Sequence, residues 1–204
     1  MDSDSPREPD DGGGRGSGPS FTVVLLVFYG LMAGLGVLLA WLLDVPSIWR
    51  MEPGPPGPIS PEFGLLLGIA LGLAVHAGST FVRRRFGWTQ KFYEQIRRML
   101  GTPSTVQVVI AASASAIGEE ILFRGALMPA IGLVPQAILF GLLHLSPGRE
   151  FRFWPFYAAA MGLAFGLLYQ ASGTIMAPIL AHFTVNYFGL ASLREKPERT
   201  SPPS

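Results

Sequence analysis

Phe21 to Leu43 reads FTVVLLVFYGLMAGLGVLLAWLL, 23 residues without a single charge. As a helix rising 1.5 Å per residue it reaches about 35 Å, enough to cross a hydrocarbon core of about 30 Å with some tilt. The rest of the chain has the same character. Of its 204 residues 49% are hydrophobic and only 14% charged, where a soluble chain carries roughly a quarter charged. The mean hydropathy is +0.39. A soluble globular domain and a disordered chain are both excluded. The formal net charge is +1, and the basic residues sit in loop clusters, so nothing points to a nucleic acid partner. The absence of cysteine rules out disulfides, a thiolate metal site and a cysteine nucleophile.

Working outward from that first span, five more apolar stretches follow. They run from Phe63 to Val82, from about Thr105 to Leu127, from Ala130 to Leu145, from Phe153 to Tyr169 and from Thr174 to Leu193. The expected fold is all-α: a polytopic membrane helix bundle of about six transmembrane helices over residues 21–193. Residues 1–20 are acidic and glycine-rich with no apolar period, and 194–204 are polar. Both are read as disordered tails, too poor in apolar surface to offset the entropy of ordering. The connection from Asp44 to Pro61 is proline-rich and should be extended, with Trp49 as an interfacial anchor. Between Phe86 and Leu100, Phe92, Ile96 and Met99 recur at helical spacing among Lys91, Arg97 and Arg98. That pattern predicts an amphipathic helix lying on the membrane surface.

The charges also give an orientation. With the N-terminus inside, the inner segments hold Arg7, Arg15, the cluster from Arg83 to Arg98, Arg149, Arg152, Arg194, Lys196 and Arg199, while the outer connections hold only Arg50. The positive-inside bias then predicts a multi-pass protein of the cell membrane with both termini cytoplasmic.

Charges inside a span are the informative exceptions, because an acidic side chain at a helix centre costs about 2.5 to 3.5 kcal/mol. The third span reads ASASAIGEEILFRG from Ala112 to Gly125. Glu120 and Arg124 stand i and i+4 on one face, in the favourable order for an ion pair. Glu119 is rotated about 100° away and should point elsewhere. A desolvated carboxylate of this kind is suited to take a proton from water. A pair that merely fixes helix packing explains one glutamate and leaves the other without a role.

Two histidines lie in other spans. His144 follows Phe140 by one turn, and His182 and Asn186 share a face at i and i+4. His76, alone in the second span, reads as a packing residue. Side chains from separate helices of a bundle can meet in one cavity. Glu119, Glu120, His144, His182 and Asn186 then describe either a carboxylate–histidine hydrolytic site or a two-histidine, one-carboxylate metal site.

These motifs, Glu119-Glu120-x-x-x-Arg124, Phe140-x-x-x-His144 and His182-x-x-x-Asn186, each in its own span, resemble those of the CAAX-processing and bacteriocin-processing (CPBP, or Abi) family of intramembrane proteases. The resemblance covers roughly residues 105–190, which would be the protease core. It implies that Glu119 activates water with Glu120 and Arg124 in support. His144 would assist Glu119 or ligate a metal, and His182 and Asn186 would stabilise the oxyanion or complete the metal site. The family has been described both as metal-dependent and as glutamate-type. A divalent metal such as zinc, held by His144, His182 and Glu119, is therefore one implied arrangement. The eukaryotic prenyl-protein endopeptidases of the family have more spans, so this chain resembles the compact bacterial members.

The expected activity is hydrolysis of peptide bonds in a membrane-associated or lipid-modified peptide or protein, with the bilayer as the second partner. A non-hydrolytic scaffold or immunity factor that binds a partner's membrane segment is the alternative. It has no need of an unpaired Glu119. A proton-coupled transporter with a Glu119–His144–His182 relay is a third reading, but no pair of interrupted, repeat-related spans accompanies it.

Overall fold

A computed structural model describes residues 20–50 and 58–194. The two expected tails, apart from Ser20 and Arg194, and the centre of the proline-rich connection lie outside the described residues. Helix starts follow local signals. Ser20 caps α1 (Phe21–Leu42), its Oγ accepting the Val23 N–H at 3.4 Å. Ser60 caps α2 (Pro61–Arg85) in the same way at 3.2 Å, with Pro61 in the first turn, where the N–H it lacks would have no partner. α3 spans Gly87–Leu100. α4 (Thr105–Glu120) opens with a reciprocal capping box between Ser104 and Gln107. It runs without a break through a π-helical stretch, Ile121–Leu127, into the short α5 (Met128–Ile131). Gly132 stops it at φ +89°, a conformation that favours glycine. α6 (Leu133–Leu143), α7 (Trp154–Ser172) and α8 (Met176–Ala191) follow. Among the described residues there is no β-strand; Arg50 and Thr174 form an isolated antiparallel bridge.

Glycines set how close the helices come, and their contacts give the directions. Gly64, Gly68 and Gly72 on α2 meet Ser172, Ala177 and Thr184, so α2 and α8 run parallel. A Cβ at Gly68 would overlap the Ala177 carbonyl. This is small-xxx-small packing, in which a missing side chain lets two backbones approach. On α1 and α4, Tyr29 meets Gly118 and Gly36 meets Leu122, again in parallel. α6 and α7 are antiparallel, with Gly141 against Pro155 and Gly166 against Leu133. Parallel pairing of the first with the third and of the second with the sixth expected span, and antiparallel pairing of neighbours, is the pattern of a chain that crosses back and forth.

The protein is a multi-pass membrane helix bundle. Among the described residues four helical segments are long and apolar enough to cross a membrane: Thr22–Leu42, Pro61–Arg85, Thr105–Ile131 and Arg149–Ser172. The third is the central one, 56% buried against 11% for each of the first two. α6 and α8 correspond to the fourth and sixth expected spans and are shorter than their sequence stretches. With 11 and 16 residues they reach about 16 and 24 Å. α6 loses its expected start to the Gly132 turn and ends at His144, whose backbone leaves the helix.

The amphipathic α3 is present, but its apolar face is not simply turned to lipid. Phe92 packs on Phe151 and Trp154 at ring distances of 5.5 and 5.0 Å, and Phe92 and Ile96 line an internal cavity. Met99, 68% exposed, faces outward. Arg97 donates to the Leu193 carbonyl, which ties α3 to the 3₁₀ turn Ser192–Arg194. Periodicity marked the apolar face but not the aromatic partners that cover it.

Candidate active site

The acidic pair closes α4, where the bundle is most enclosed. Glu119 is 7% exposed; Glu120 and Arg124 are fully buried. The π-helical stretch begins at the next residue, and the Met128 N–H reaches back five residues to the Phe123 carbonyl. Such wide turns are rare and frequently mark functional sites.

Arg124 Nη1 donates to Glu120 Oε1 at 2.9 Å, the ion pair expected from spacing. Its Nη2 donates to the Gly162 carbonyl at 2.9 Å, which also accepts from Gln136 Nε2 at 3.1 Å. The guanidinium lies among the rings of Phe140, Phe165 and Phe123, 5.1, 5.5 and 6.0 Å from their centroids. A charge so far from water needs such partners, and the pair-breaking cost is correspondingly high.

His182 departs from expectation. Its Nδ1 lies 2.8 Å from Glu120 Oε1 and its Nε2 lies 3.7 Å from Glu119 Oε2. The imidazole is thus hydrogen-bonded to Glu120 and lies beside Glu119 beyond hydrogen-bond distance, so Glu119 is not turned away from its neighbour's partner. Phe165 stacks on this ring at 5.1 Å and Phe140 meets it edge-on at 6.0 Å. Glu119 Oε2 has no hydrogen-bond partner among the described residues. Tyr29, from α1, lines the same cavity as Glu119.

His144 and Asn186 complete the set. His144 Nδ1 is 2.7 Å from the Phe140 carbonyl. A carbonyl only accepts, so this nitrogen carries the proton and Nε2 is left for other chemistry. Asn186 Nδ2 donates to Ser115 Oγ at 2.9 Å. Glu119, His144, His182 and Asn186 all line one cavity of about 760 Å³, with Tyr29, His76 and Ser115. His76 does pack, stacked on Phe188 at 4.8 Å, and borders the cavity as well.

The turn at Gly132 ends the helix that carries Glu119 and starts the one that carries His144. Glu119 lies 12 residues before Ile131 and His144 lies 11 after Leu133, so each is about 17 to 18 Å from the same turn.

The ligand set read from sequence, His144, His182 and Glu119, does not fit a metal in this arrangement. Among the described residues no three His, Asp or Glu side chains gather as a metal site requires.

Tyr29, Ser115 and Gln136 escaped the sequence reading. Ser115 stands four residues before Glu119, so its face was legible; Tyr29 in its apolar run gives no such signal.

Residues 101–188 match the model of the family described as type II CAAX prenyl endopeptidase Rce1-like. Uncharacterized protein YpbD of Bacillus subtilis (strain 168) is 28% identical over 92 residues, 44% of this chain and 47% of that protein. The match thus spans about half the length of that curated relative. No solved structure matches the chain. Through the segment 101–188, which holds every motif residue from Glu119 to Asn186, the chain is similar to the Rce1-like type II CAAX prenyl endopeptidases, the membrane protease family its motifs resemble.

Proposed function

We propose that the protein is an intramembrane endopeptidase that hydrolyses a peptide bond of a membrane-associated or lipid-modified substrate, with a glutamate-activated water as nucleophile. The observation that carries this reading is Glu119 at the wall of an apolar-lined cavity, one carboxylate oxygen without a protein partner and an imidazole 3.7 Å away. Glu119 takes a proton from water while the water oxygen attacks the scissile carbonyl carbon. The tetrahedral oxyanion is held by the Asn186 side-chain amide, whose Nδ2 has a second N–H beyond the one it gives to Ser115. Glu119 then returns its proton to the departing amine as the C–N bond breaks, leaving a carboxylate and an amine. Glu120, fixed by Arg124, holds His182 through Nδ1 and so aims Nε2 at Glu119. The similarity over residues 101–188 supports the same class of reaction.

The cavity also suits the substrate class. Phe92, Ile96, Phe140 and Trp154 offer it an apolar wall, which favours a lipid-bearing or membrane-embedded chain over a soluble peptide. The distribution of Lys and Arg supports a place in the cell membrane with both termini cytoplasmic.

Glu119→Gln, which keeps the shape and removes the base, should trap the partner. Co-purification of this variant after crosslinking in membranes, followed by mass spectrometry, should enrich a membrane-anchored protein that wild type yields in cleaved form. The same partner recovered intact from both would favour the scaffold alternative.

A further inference from the structure

The cavity that holds Glu119 has a second carboxylate on its wall, contributed by the connection from α6 to α7. Glu150 lines it from a 3₁₀ turn, Arg149–Phe151, and is exposed to solvent. The buried Phe151 anchors that turn against Phe92 of α3 at a ring distance of 5.5 Å. Gly148 opens the turn at φ +114°, a conformation that favours glycine, and a Cβ there would stand 3.0 Å from Glu150 Oε2. Among the described residues Glu150 forms no salt bridge. Among them, too, no Lys or Arg lines the cavity, so apart from its histidines the charged groups of the wall are Glu119 and Glu150. Arg149 and Arg152 flank Glu150 in the chain, and the Arg152 guanidinium lies over the Phe153 ring at 4.7 Å. A file of rings leads outward from the candidate active site. His182 is 6.0 Å from Phe140, Phe140 is 4.7 Å from His144, His144 is 5.8 Å from Trp154 and Trp154 is 5.0 Å from Phe92.

We propose that Glu150 is a specificity-determining residue, which receives a Lys or Arg side chain from the substrate segment flanking its membrane anchor. This deepens the hydrolase reading and rests on it. The step from His144 to Trp154 alone matches about two residues of extended chain at about 3.3 to 3.6 Å each, so the cationic residue lies a few positions from the bond cleaved. The methylenes of Lys or Arg suit the faces of Trp154 and Phe92, and the charged head is free to reach the carboxylate at the exposed end. Such residues are what a membrane-anchored chain carries beside its anchor, because cytoplasmic segments next to a bilayer are rich in Lys and Arg. An acidic segment would meet two like charges on the wall and no Lys or Arg among the described lining residues.

The test uses wild type, Glu150→Gln and Glu150→Lys in the full chain, with a fluorescence-quenched farnesylated reporter peptide ending in a CAAX-type sequence. Versions of the peptide carry Lys, Gln or Glu at single positions within the few residues before the farnesylated cysteine. Wild type should favour the best Lys version over its Glu counterpart by about three- to tenfold in kcat/KM, the range of a partly exposed ion pair. The difference should lie in KM, because Glu150 touches no reacting atom. Glu150→Gln should bring the versions together, and Glu150→Lys should reverse their order. Equal kcat/KM for all versions in wild type, or an order unchanged in Glu150→Lys, would overturn the proposal. A wild-type preference for Glu would assign selection to the surrounding arginines and overturn it as well. Fluorescence anisotropy of labelled versions, read in the Glu119→Gln background, should give dissociation constants in the same order without turnover. Cleavage of every version at one rate would leave the hydrolase reading in place and remove the cation site. No cleavage by wild type, with the anisotropy order intact and reversed by Glu150→Lys, would remove the hydrolase reading and leave the cation site standing.

Discussion

Replacing Arg124 with methionine removes a charge while keeping much of the side chain's length, and the structure sets the cost. Arg124 gives two 2.9 Å hydrogen bonds, one to Glu120 Oε1 and one to the Gly162 carbonyl. Without it Glu120 is a fully buried carboxylate whose remaining partner is His182. Breaking one half of a buried pair costs about 3 to 5 kcal/mol. Arg124→Ala should cost more, because it also opens a cavity among Phe123, Phe140 and Phe165. Glu119→Gln should stay within about 1 kcal/mol of wild type, since it is isosteric and its Oε2 has no partner to lose. Pairing Arg124→Met with Glu120→Gln should recover a large part of the loss, because both buried charges then disappear together. The assay is reversible unfolding of the purified protein in mixed detergent micelles, with the four variants and wild type compared in one titration. Arg124→Met within about 1 kcal/mol of wild type, or a loss equal to that of Glu119→Gln, would refute the division between a structural and a chemical carboxylate.

Gly68→Leu should destabilise the α2–α8 contact by about 1 to 3 kcal/mol or more through overpacking against Ala177. At Gly78 on the same helix an added Cβ meets nothing within 4 Å, so Gly78→Ala should be at least as stable as wild type in the same titration. Because the chain has no cysteine, single cysteines at Arg98 and Asp44 report orientation directly. A membrane-impermeant thiol reagent should label Asp44→Cys and spare Arg98→Cys in intact cells, and the opposite pattern would reverse the proposed topology.

Several parts of this architecture were legible in the sequence because a fixed period carries them. The uncharged run from Phe21 announced a span, and the i, i+4 spacing of Glu120 and Arg124 announced an ion pair that the fold then makes. Phe140 with His144, and His182 with Asn186, fixed which faces turn inward, and all four line the cavity. The relation of His182 to the acidic pair was not legible, since it depends on how α8 crosses α4. Nor was the length of α6. Hydropathy runs smoothly through Gly132, and only its backbone conformation cuts the helix there. The glycines at 64, 68 and 72 stand at the spacing of a close helix contact, but spacing does not say which helix they meet. Tyr29 is the extreme case: one hydroxyl in an apolar span, given its place by a glycine 89 positions away in the chain.

The measurement closest to the central claim is cleavage of the farnesylated reporter peptide by the protein in liposomes, followed by mass spectrometry of the products. Wild type should release a new carboxyl terminus that carries one oxygen-18 when the reaction runs in labelled water. Glu119→Gln should fall by at least about a thousandfold while unfolding at the wild-type midpoint, as expected when a general base and the charge it stabilises are lost together. Cleavage by Glu119→Gln at the wild-type rate would contradict the account.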